Sequence, residues 1–133
     1  MDDIVRSLSE KVVTFLETGT APEGLFGPDV FLDLTMPTWR IQAAGAEELI
    51  AVRKDGHPGP VRVTGWRADP TPTGFVFEFE ERWHAEGQEW YSREMMRAEV
   101  ADGKIAQLSV YCTGDWDQAR QAEHAAAVTL LRP

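Results

Sequence analysis

The stretch GFVFEFEERWHAEGQEWYSREMMRAEVADGKIAQLSVYC, from Gly74 to Cys112, decides how this chain folds. Apolar and polar residues alternate along it with the period of two that is typical of β-strands. Two short polar breaks divide it, Glu86-Gly87 and Asp102-Gly103, and Asp-Gly is a strong signal for a two-residue hairpin turn. The pattern therefore predicts three consecutive antiparallel strands, over 75–85, 88–101 and 104–112.

Two-residue turns fix which residues face each other across the strands. Counting back from the first turn places Glu81 opposite Ser92 and Phe79 opposite Glu94. Counting from the second turn places Glu94 opposite Tyr111. One face of these strands is mostly apolar, and we expect it to be the covered face. It is predicted to carry Phe75, Phe77, Phe79, Glu81, Trp83, Trp90, Ser92, Glu94, Met96, Ala98, Val100, Ile105 and Tyr111.

Two carboxylates interrupt this apolar face, Glu81 on the first strand and Glu94 on the second. They occupy diagonal positions, which lie about 7–8 Å apart at the backbone and within reach of long side chains. Because burial of a bare carboxylate is costly, each must be hydrogen-bonded, paired or protonated. Apolar surroundings and a like-charged neighbour both raise a carboxyl pKa, and such a carboxyl can act as a general acid or base near neutral pH. The alternative is structural, because a bulge would turn either glutamate to solvent or toward an arginine.

The segments on either side of this stretch predict helices and further strands. Apolar residues recur at helical spacing over 4–16, and the segment 19–29, rich in glycine and proline, ends that helix. A β-rich segment over 30–42 bends at Pro37, a short helix follows over 45–54, and a strand begins at Val61. A final helix follows Cys112, with Asp115 as its N-cap. This order predicts an α+β fold in which helices cover one face of a bent antiparallel sheet.

The composition limits the classes of protein to which the chain can belong. Its 133 residues include 13 basic and 22 acidic ones, for a net charge of -9. Because nucleic acids and anionic membrane surfaces both require a basic footprint, we expect neither as a partner. There is no apolar run of transmembrane length, and the acidic N-terminus does not resemble a secretory signal. With one cysteine, Cys112, we expect a single cytoplasmic domain over 1–133.

No sequence motif indicates a cofactor. The chain has neither GxGxxG nor GxxxxGK[ST], and its three histidines lack the spacing of metal ligands, so no cofactor and no metal are predicted. His57 lies in a loop that could rim a pocket, whereas His84 is expected on the solvated face and His124 on the final helix. The thiol of Cys112 has no base near it in sequence and is expected to be a small buried group.

The order of these elements resembles the nuclear transport factor 2-like superfamily, which includes SnoaL-type polyketide cyclases, ketosteroid isomerase and limonene epoxide hydrolase. The resemblance rests on PDVFLDLTMP (28–37), on GAEELIAVRK (45–54), and on EERWHAEGQEWY (80–91) followed by DGKI (102–105) and an aromatic residue. It covers the chain from residue 4 to about residue 128. It implies a cone of helices over a bent sheet, with a ligand pocket at the open end and a homodimer formed through the outer sheet face.

The chain departs from the family at its usual catalytic positions. Cyclases and epoxide hydrolases of this type carry an acid five residues after the isoleucine of DGKI, where this chain has Val110. The base of ketosteroid isomerase lies in an acidic-Pro step, where this chain has Met36 before Pro37, unless Asp33 substitutes for it. The family's last strand often has a bulge, which would direct Leu108 and Val110 inward.

We therefore expect a protein with a pocket for a small, largely apolar molecule. Its first expected function is that of a cofactor-independent isomerase, cyclase or dehydratase, with Glu81 and Glu94 as acid and base and Tyr111 as a hydrogen-bond donor to a developing oxyanion. The predicted pocket walls are Trp39, Phe77, Phe79, Trp83, Trp90, Met96, Leu108 and Val110. Two alternatives stay open: a non-catalytic carrier of small molecules, or a dimeric protein-interaction module of the same fold.

Overall fold

The computed structural model describes residues 2–133, which form three helices and one six-stranded sheet. The elements in chain order are α1 (Asp3–Thr18), β1 (Phe26–Met36), β2 (Trp39–Ala44), α2 (Ala46–Gly56), β3 (Val61–Thr71), β4 (Gly74–Ala85), β5 (Gln88–Ala101), β6 (Lys104–Cys112) and α3 (Gln118–Ala127). Helices therefore precede and follow a run of strands, which is the predicted α+β arrangement. None of the helices in this described part combines the length and apolar character that a membrane crossing requires.

The sheet has the strand order β2-β1-β6-β5-β4-β3. Neighbouring strands are antiparallel except for β1 and β6, which run parallel. The sequence predicts the antiparallel hairpins because their turns are short, whereas nothing local to β1 or β6 indicates that they pair. The sheet is thus mixed, and the parallel pair places β1 beside the end of the hairpin stretch.

Both predicted turns of the hairpin stretch are confirmed. Glu86 and Gly87 have φ angles of 55° and 72°, and Asp102 and Gly103 have φ angles of 54° and 76°. Two successive residues with positive φ form the type of turn whose twist matches two-residue β-hairpins. The first of these turns sets the register of β4 against β5 as predicted, with Glu81 opposite Ser92 and Phe79 opposite Glu94.

The predicted register of the second hairpin is wrong beyond its first two pairs. Val100 pairs with Ile105, but Glu99 pairs with Gln107, so one extra residue lies in β6 between these pairs. A bulge of this kind reverses the direction of every later side chain, because the strand repeat is two residues. Glu94 consequently faces Cys112 rather than Tyr111.

One face of the sheet is covered by α1, which packs on β3 and β4, and by α2, which packs on β1 and β2. The core lies between these layers and includes Leu8, Phe15, Leu25, Leu32, Leu49, Phe75, Phe77, Phe79, Met96, Ala98, Ile105 and Leu108. Gly74 begins β4 where a Cβ would lie 1.9 Å from the carbonyl oxygen of Ala98, so this close approach of two strands requires glycine.

The final helix begins two residues later than the sequence suggests. Asp117, and not Asp115, is the N-cap of α3, and its side chain accepts a hydrogen bond of 2.8 Å from the Arg120 amide. The preceding residues are held to β5, where the backbone amide and carbonyl of Trp116 bond those of Tyr91. This pairing frees Asp115 from capping and leaves its side chain beside the covered face of the sheet.

Candidate functional site

The hairpin of β4 and β5 places Glu81 and Glu94 on the covered face of the sheet. Their residues expose only 0% and 6% of their surface, so both carboxyl groups lie inside the protein. The Ser92 hydroxyl lies between them, 2.6 Å from Glu94 Oε1 and 3.5 Å from Glu81 Oε2. It has one proton, and the shorter distance identifies Glu94 as its main acceptor. The diagonal pair predicted from the register is therefore present, joined by one hydroxyl group.

Glu81 forms a buried ion pair with Arg53 of α2. Both terminal nitrogens of the guanidinium donate to the two carboxylate oxygens, and Nη2 also donates to the Leu16 carbonyl at 2.6 Å. A bidentate Arg–carboxylate pair is a strong, directional interaction, and it supplies the partner that a buried carboxylate needs. Glu81 lies behind this arginine and is not part of the wall of the neighbouring cavity.

Glu94 has no cationic partner among residues 2–133. Its Oε1 accepts hydrogen bonds from Ser92 and, at 3.4 Å, from the Cys112 thiol, whereas no donor group among the described residues bonds its buried Oε2. Burial, followed by the negative charge of Glu81, raises the pKa of Glu94 to about 9. Its carboxyl group is therefore neutral at pH 7 and carries a proton that it can donate.

A cavity of about 140 Å³ lies between the two helices and the sheet, and Glu94 forms part of its wall. Thirteen apolar side chains line it: Val12, Phe15, Leu16, Phe26, Leu32, Leu34, Met36, Leu49, Val52, Phe79, Met96, Leu108 and Val110. The titratable lining residues are Arg53, His57, Glu94, Cys112 and Asp115. A mostly apolar cavity with a few converging polar groups is the usual form of a small-molecule site.

His57 follows the end of α2 and lines the cavity. Its ring packs edge-on against Trp83 at 4.4 Å between ring centroids, and its Nε2 lies 4.0 Å from Glu81 Oε2. Burial and the positive charge of Arg53 lower the pKa of His57 to about 4, against the opposing effect of Glu81. The imidazole is therefore neutral at pH 7, and its Nδ1 is buried without a hydrogen-bond partner within residues 2–133.

Two further groups complete the polar part of the wall. Burial, followed by the charge of Glu81, raises the pKa of Asp115, whereas Arg53 lowers it. Burial and the neighbouring Glu94 raise the pKa of the Cys112 thiol to about 12, so this thiol is protonated and a poor nucleophile at neutral pH. Within residues 2–133, no three His, Cys, Asp or Glu side chains are arranged to hold a metal ion.

The structure brings together some of the predicted site residues and separates others. Phe79, Glu94, Met96, Leu108 and Val110 line the cavity. The bulge in β6 is what turns Leu108 and Val110 inward, as the resemblance implied.

The other predicted residues lie outside the cavity wall. Phe77 and Trp83 are buried behind it, and Trp90 stacks on Trp83 while its Nε1 donates to the Ala85 carbonyl. Trp39 pairs with Met36 at the sheet edge and exposes 69% of its surface. Tyr111 exposes 61% of its surface on the outer face, so the predicted contact with Glu94 is wrong, because the bulge reverses its direction.

Sequence reasoning missed Arg53 and Asp115 as site residues and named His57 only as a rim candidate. One signal in the sequence could have found Arg53. A buried Glu81 must be paired, so a basic residue is expected on an element that covers the sheet. Arg53 was one of several basic residues on the two helices, and its spacing alone did not select it. Asp115 carried no signal, because its position depends on the pairing of Trp116 with β5.

Comparison with solved structures gives many proteins of similar fold. A nuclear transport factor 2-like protein from Anabaena variabilis has a TM-score of 0.69 and 19% identity, over 84% of this chain and 88% of that one. A protein from Xanthomonas campestris, provisionally named a polyketide cyclase, has a TM-score of 0.67 and 15% identity over 81% and 89%. A protein from Kribbella flavida, provisionally named a ketosteroid isomerase, has a TM-score of 0.61 and 17% identity over 98% and 92%.

No protein-family model and no curated protein matches the sequence. The likeness to solved structures nevertheless extends over most of both chains and agrees with the element order and the covered sheet face described above. The chain therefore adopts the nuclear transport factor 2-like fold, an α+β cone, as its sequence predicts.

Proposed function

We propose that this protein is a cofactor-independent enzyme that catalyses proton transfer on a small, largely apolar carbonyl compound. The observation that carries the proposal is the carboxyl group of Glu94, which is buried, is paired with no cation of residues 2–133 and lies on the wall of an apolar cavity. A neutral carboxyl in such a place can donate a hydrogen bond to a carbonyl oxygen and stabilise the negative charge that develops there.

Asp115 is the candidate base, because it is the other carboxyl group on the cavity wall. In the proposed step its carboxylate removes a proton from the carbon next to the carbonyl group, and the C–H electrons form the double bond of an enol. The carbonyl oxygen takes the Glu94 proton at the same time. Return of the proton from Asp115 to a different carbon, and of the hydroxyl proton to Glu94, gives an isomer with both residues restored.

Arg53 and Glu81 support this step through their charges and do not transfer a proton themselves. Arg53 pairs with both oxygens of the Glu81 carboxylate, and the charge of Glu81 contributes to the raised pKa of Glu94. This arrangement assigns Glu81 a positioning role, in place of the acid or base role expected from the sequence. Isomerases, cyclases and dehydratases of carbonyl compounds can all begin with such an enolisation, so the proposal leaves these three reaction types open.

A direct test follows the conversion of 3-cyclohexenone into conjugated 2-cyclohexenone by ultraviolet absorbance. We expect turnover by the parent protein, a loss of at least about 100-fold in Glu94→Leu and a similar loss in Asp115→Asn, since one general acid or base contributes about 10²–10⁴-fold. Glu78→Gln, on the outer face of β4 and paired there with Arg93, is the matched control and should keep full activity. Equal rates in all four proteins would reject the proposed acid and base.

A non-catalytic carrier of small molecules is the second candidate. It is favoured by the cavity itself together with the full commitment of Glu81 to its ion pair, which leaves fewer groups free for chemistry. Exchange of the α-protons of cyclohexanone for deuterium, measured by NMR, separates the two candidates. Binding without any protein-dependent exchange would favour the carrier, whereas exchange lost in Asp115→Asn would favour the enzyme.

We also propose that two copies of the chain associate through the outer sheet face. Met95 and Tyr111 pair on this face and expose 45% and 61% of their surfaces among charged neighbours. An apolar pair surrounded by charge is typical of a polar interface with a small apolar centre. Sedimentation of the parent protein and of Met95→Glu tests this, with a dimer expected for the parent and a monomer for the variant; a monomeric parent would reject it.

A further inference from the structure

A second concavity begins where the apolar cavity ends. This groove has a volume of about 650 Å³. Asp115 lines both spaces and is exposed to solvent, so a ligand in either space can reach it. Met36 of the cavity wall is followed directly in the chain by Pro37 of the groove wall, and Cys112 is followed in the same way by Thr113. The groove is therefore the outward continuation of the cavity.

The two segments that border both spaces touch each other. Gly114 has a φ angle of 82°, and a Cβ at this position would lie only 3.2 Å from Pro37 Cγ. Glycine permits both the left-handed backbone and the close approach. Because these segments leave no room for a side chain between them, we expect the part of a ligand that lies at the boundary to be a thin chain and not a ring.

The size of the cavity decides how much of a ligand it can hold. A cavity of about 150 Å³ in another protein holds one benzene molecule, and the cavity here is about 140 Å³. One six-membered ring therefore fills it. Any further atoms of the ligand must lie in the groove.

The groove differs from the cavity in its polarity. Its charged lining residues are three acids and one base: Asp115, Asp117, Glu123 and Arg120. The base is partly neutralised, because Arg120 Nη1 lies 3.8 Å from Glu123 Oε1. The groove thus offers mainly hydrogen-bond acceptors and repels negative charge.

The N-terminus of α3 does not offset this acidity. A helix N-terminus attracts anions through its free amide groups. In α3 the Gln118 amide already donates to the Gln88 side chain at 3.0 Å, and the Arg120 amide donates to Asp117 at 2.8 Å. The groove therefore suits a group that donates hydrogen bonds and carries no negative charge.

We propose that the substrate is an amphipathic monocyclic ketone, whose ring fills the cavity and whose short tail lies in the groove and ends in a hydroxyl or ammonium group. Asp117 and Glu123 are the expected acceptors for this donor. The inference rests on the proposed function, because it concerns the same cavity and the same carbonyl chemistry. It adds the groove as the outer half of the substrate site.

The experiment measures binding by calorimetry at pH 7 and low salt. The compounds are cyclohexanone and its 3- and 4-substituted derivatives with an ethyl, a 2-hydroxyethyl or a 2-carboxyethyl group. One hydrogen bond contributes about 1 kcal/mol, so the better hydroxyethyl isomer should bind about fivefold more tightly than the matching ethyl compound. The carboxylate should bind at least about tenfold more weakly than the hydroxyethyl compound, since each nearby acid repels it by about 1 kcal/mol in water. Equal affinity of the three derivatives, or no binding by any compound, would overturn the inference.

A variant that fills the groove tests where the tail lies. Ala119 lines the groove, and Ala119→Trp should abolish the preference for the hydroxyethyl over the ethyl compound. Ala125→Trp makes the same change at an exposed position of α3 outside the groove wall, and it should keep the fivefold ratio. A preference that survives in Ala119→Trp would overturn the inference.

A charge reversal tests the groove independently of its shape. Glu123→Lys should reduce the discrimination against the carboxylate by about tenfold, because it replaces a repulsive charge with an attractive one. Glu10→Lys makes the same reversal at an exposed position of α1 outside the groove wall and should leave the discrimination unchanged. Equal discrimination in the parent and in Glu123→Lys would contradict binding of the tail in the groove. Thermal unfolding checks that each variant is folded.

Failure of this inference differs from failure of the proposed function. Tighter binding of the hydroxyethyl compound with no exchange of α-protons would keep the groove as a binding site and reject the enzyme. Proton exchange without any effect of the tail on affinity would keep the enzyme and reject the groove.

Discussion

Glu81 and Glu94 are the same residue type on the same face of one hairpin, yet their surroundings give them opposite states. Glu81 lies under α2, where Arg53 pairs with both of its oxygens. Glu94 lies on the cavity wall, where a hydroxyl and a thiol contact one oxygen and no donor group in residues 2–133 bonds the other. The comparison shows that one arginine divides a pair of buried carboxyls into a charged structural group and a neutral group that can donate a proton.

Removal of Arg53 is the strongest way to break this contrast. In Arg53→Met the carboxylate of Glu81 stays buried without its partner, and we expect the free energy of unfolding to fall by about 3–5 kcal/mol. Urea denaturation at pH 7 measures the change. Arg93→Met removes an exposed pair with Glu78 and should cost less than about 1 kcal/mol. A loss as small as that in Arg53→Met would mean that the buried pair is unimportant for stability.

Glu94 makes stability depend on pH in the direction opposite to a paired carboxylate. Its pKa is about 9 in the folded protein against an ordinary value of 4.5, so folding takes up a proton between these pH values, and its contribution to stability is lost as pH rises through that window. Glu94→Gln should therefore be more stable than the parent at pH 8 by on the order of 5 kcal/mol, with little difference at pH 4. Urea denaturation from pH 4 to pH 9 measures this; identical pH profiles in the two proteins would contradict the raised pKa.

Neutralisation of Glu81 should lower the pKa of Glu94 and so reduce the difference between the two glutamate positions. In Glu81→Gln the like charge beside Glu94 disappears and the charge of Arg53 is no longer balanced, so both changes lower the pKa of Glu94. The titration of the labelled Glu94 carboxyl carbon by NMR measures this pKa directly. Glu80→Gln, on the outer face and bonded to Tyr91, is the control that should leave it unchanged. A Glu94 pKa that does not fall in Glu81→Gln would show that burial alone sets it.

Tyr111→Phe should give the smallest effect of the four changes. The hydroxyl group lies on the outer face beyond the bulge and is remote from the cavity, so we expect turnover within about twofold of the parent and a stability change within about 0.5 kcal/mol. The 3-cyclohexenone assay and urea denaturation check both expectations. A loss of turnover comparable to that of Glu94→Leu would restore the role that the simple register gave to Tyr111.

The parts of the fold that the sequence predicts well are those set by local chemistry. Glu86-Gly87 and Asp102-Gly103 form turns that are determined by their own φ preferences, and the first of them fixes the register of β4 against β5. The alternating pattern of that hairpin then predicts which side chains are covered, including both glutamates. The bulge in β6 escapes this reasoning, because alanine, the residue at position 106, is not a residue type that favours bulges. One inserted position there reverses the directions of the Leu108, Val110 and Tyr111 side chains together.

The sequence by itself determined the α+β class, the hairpins and the presence of two carboxyls on a covered face, because turns and binary patterns act over a few residues. Only the tertiary structure decided which carboxyl is charged. That choice depends on Arg53, which is 28 positions before Glu81 in the chain and comes near it when α2 packs over the sheet. Burial and charge act through space, so the chemistry of this site is fixed by the packing of elements that the local sequence does not encode.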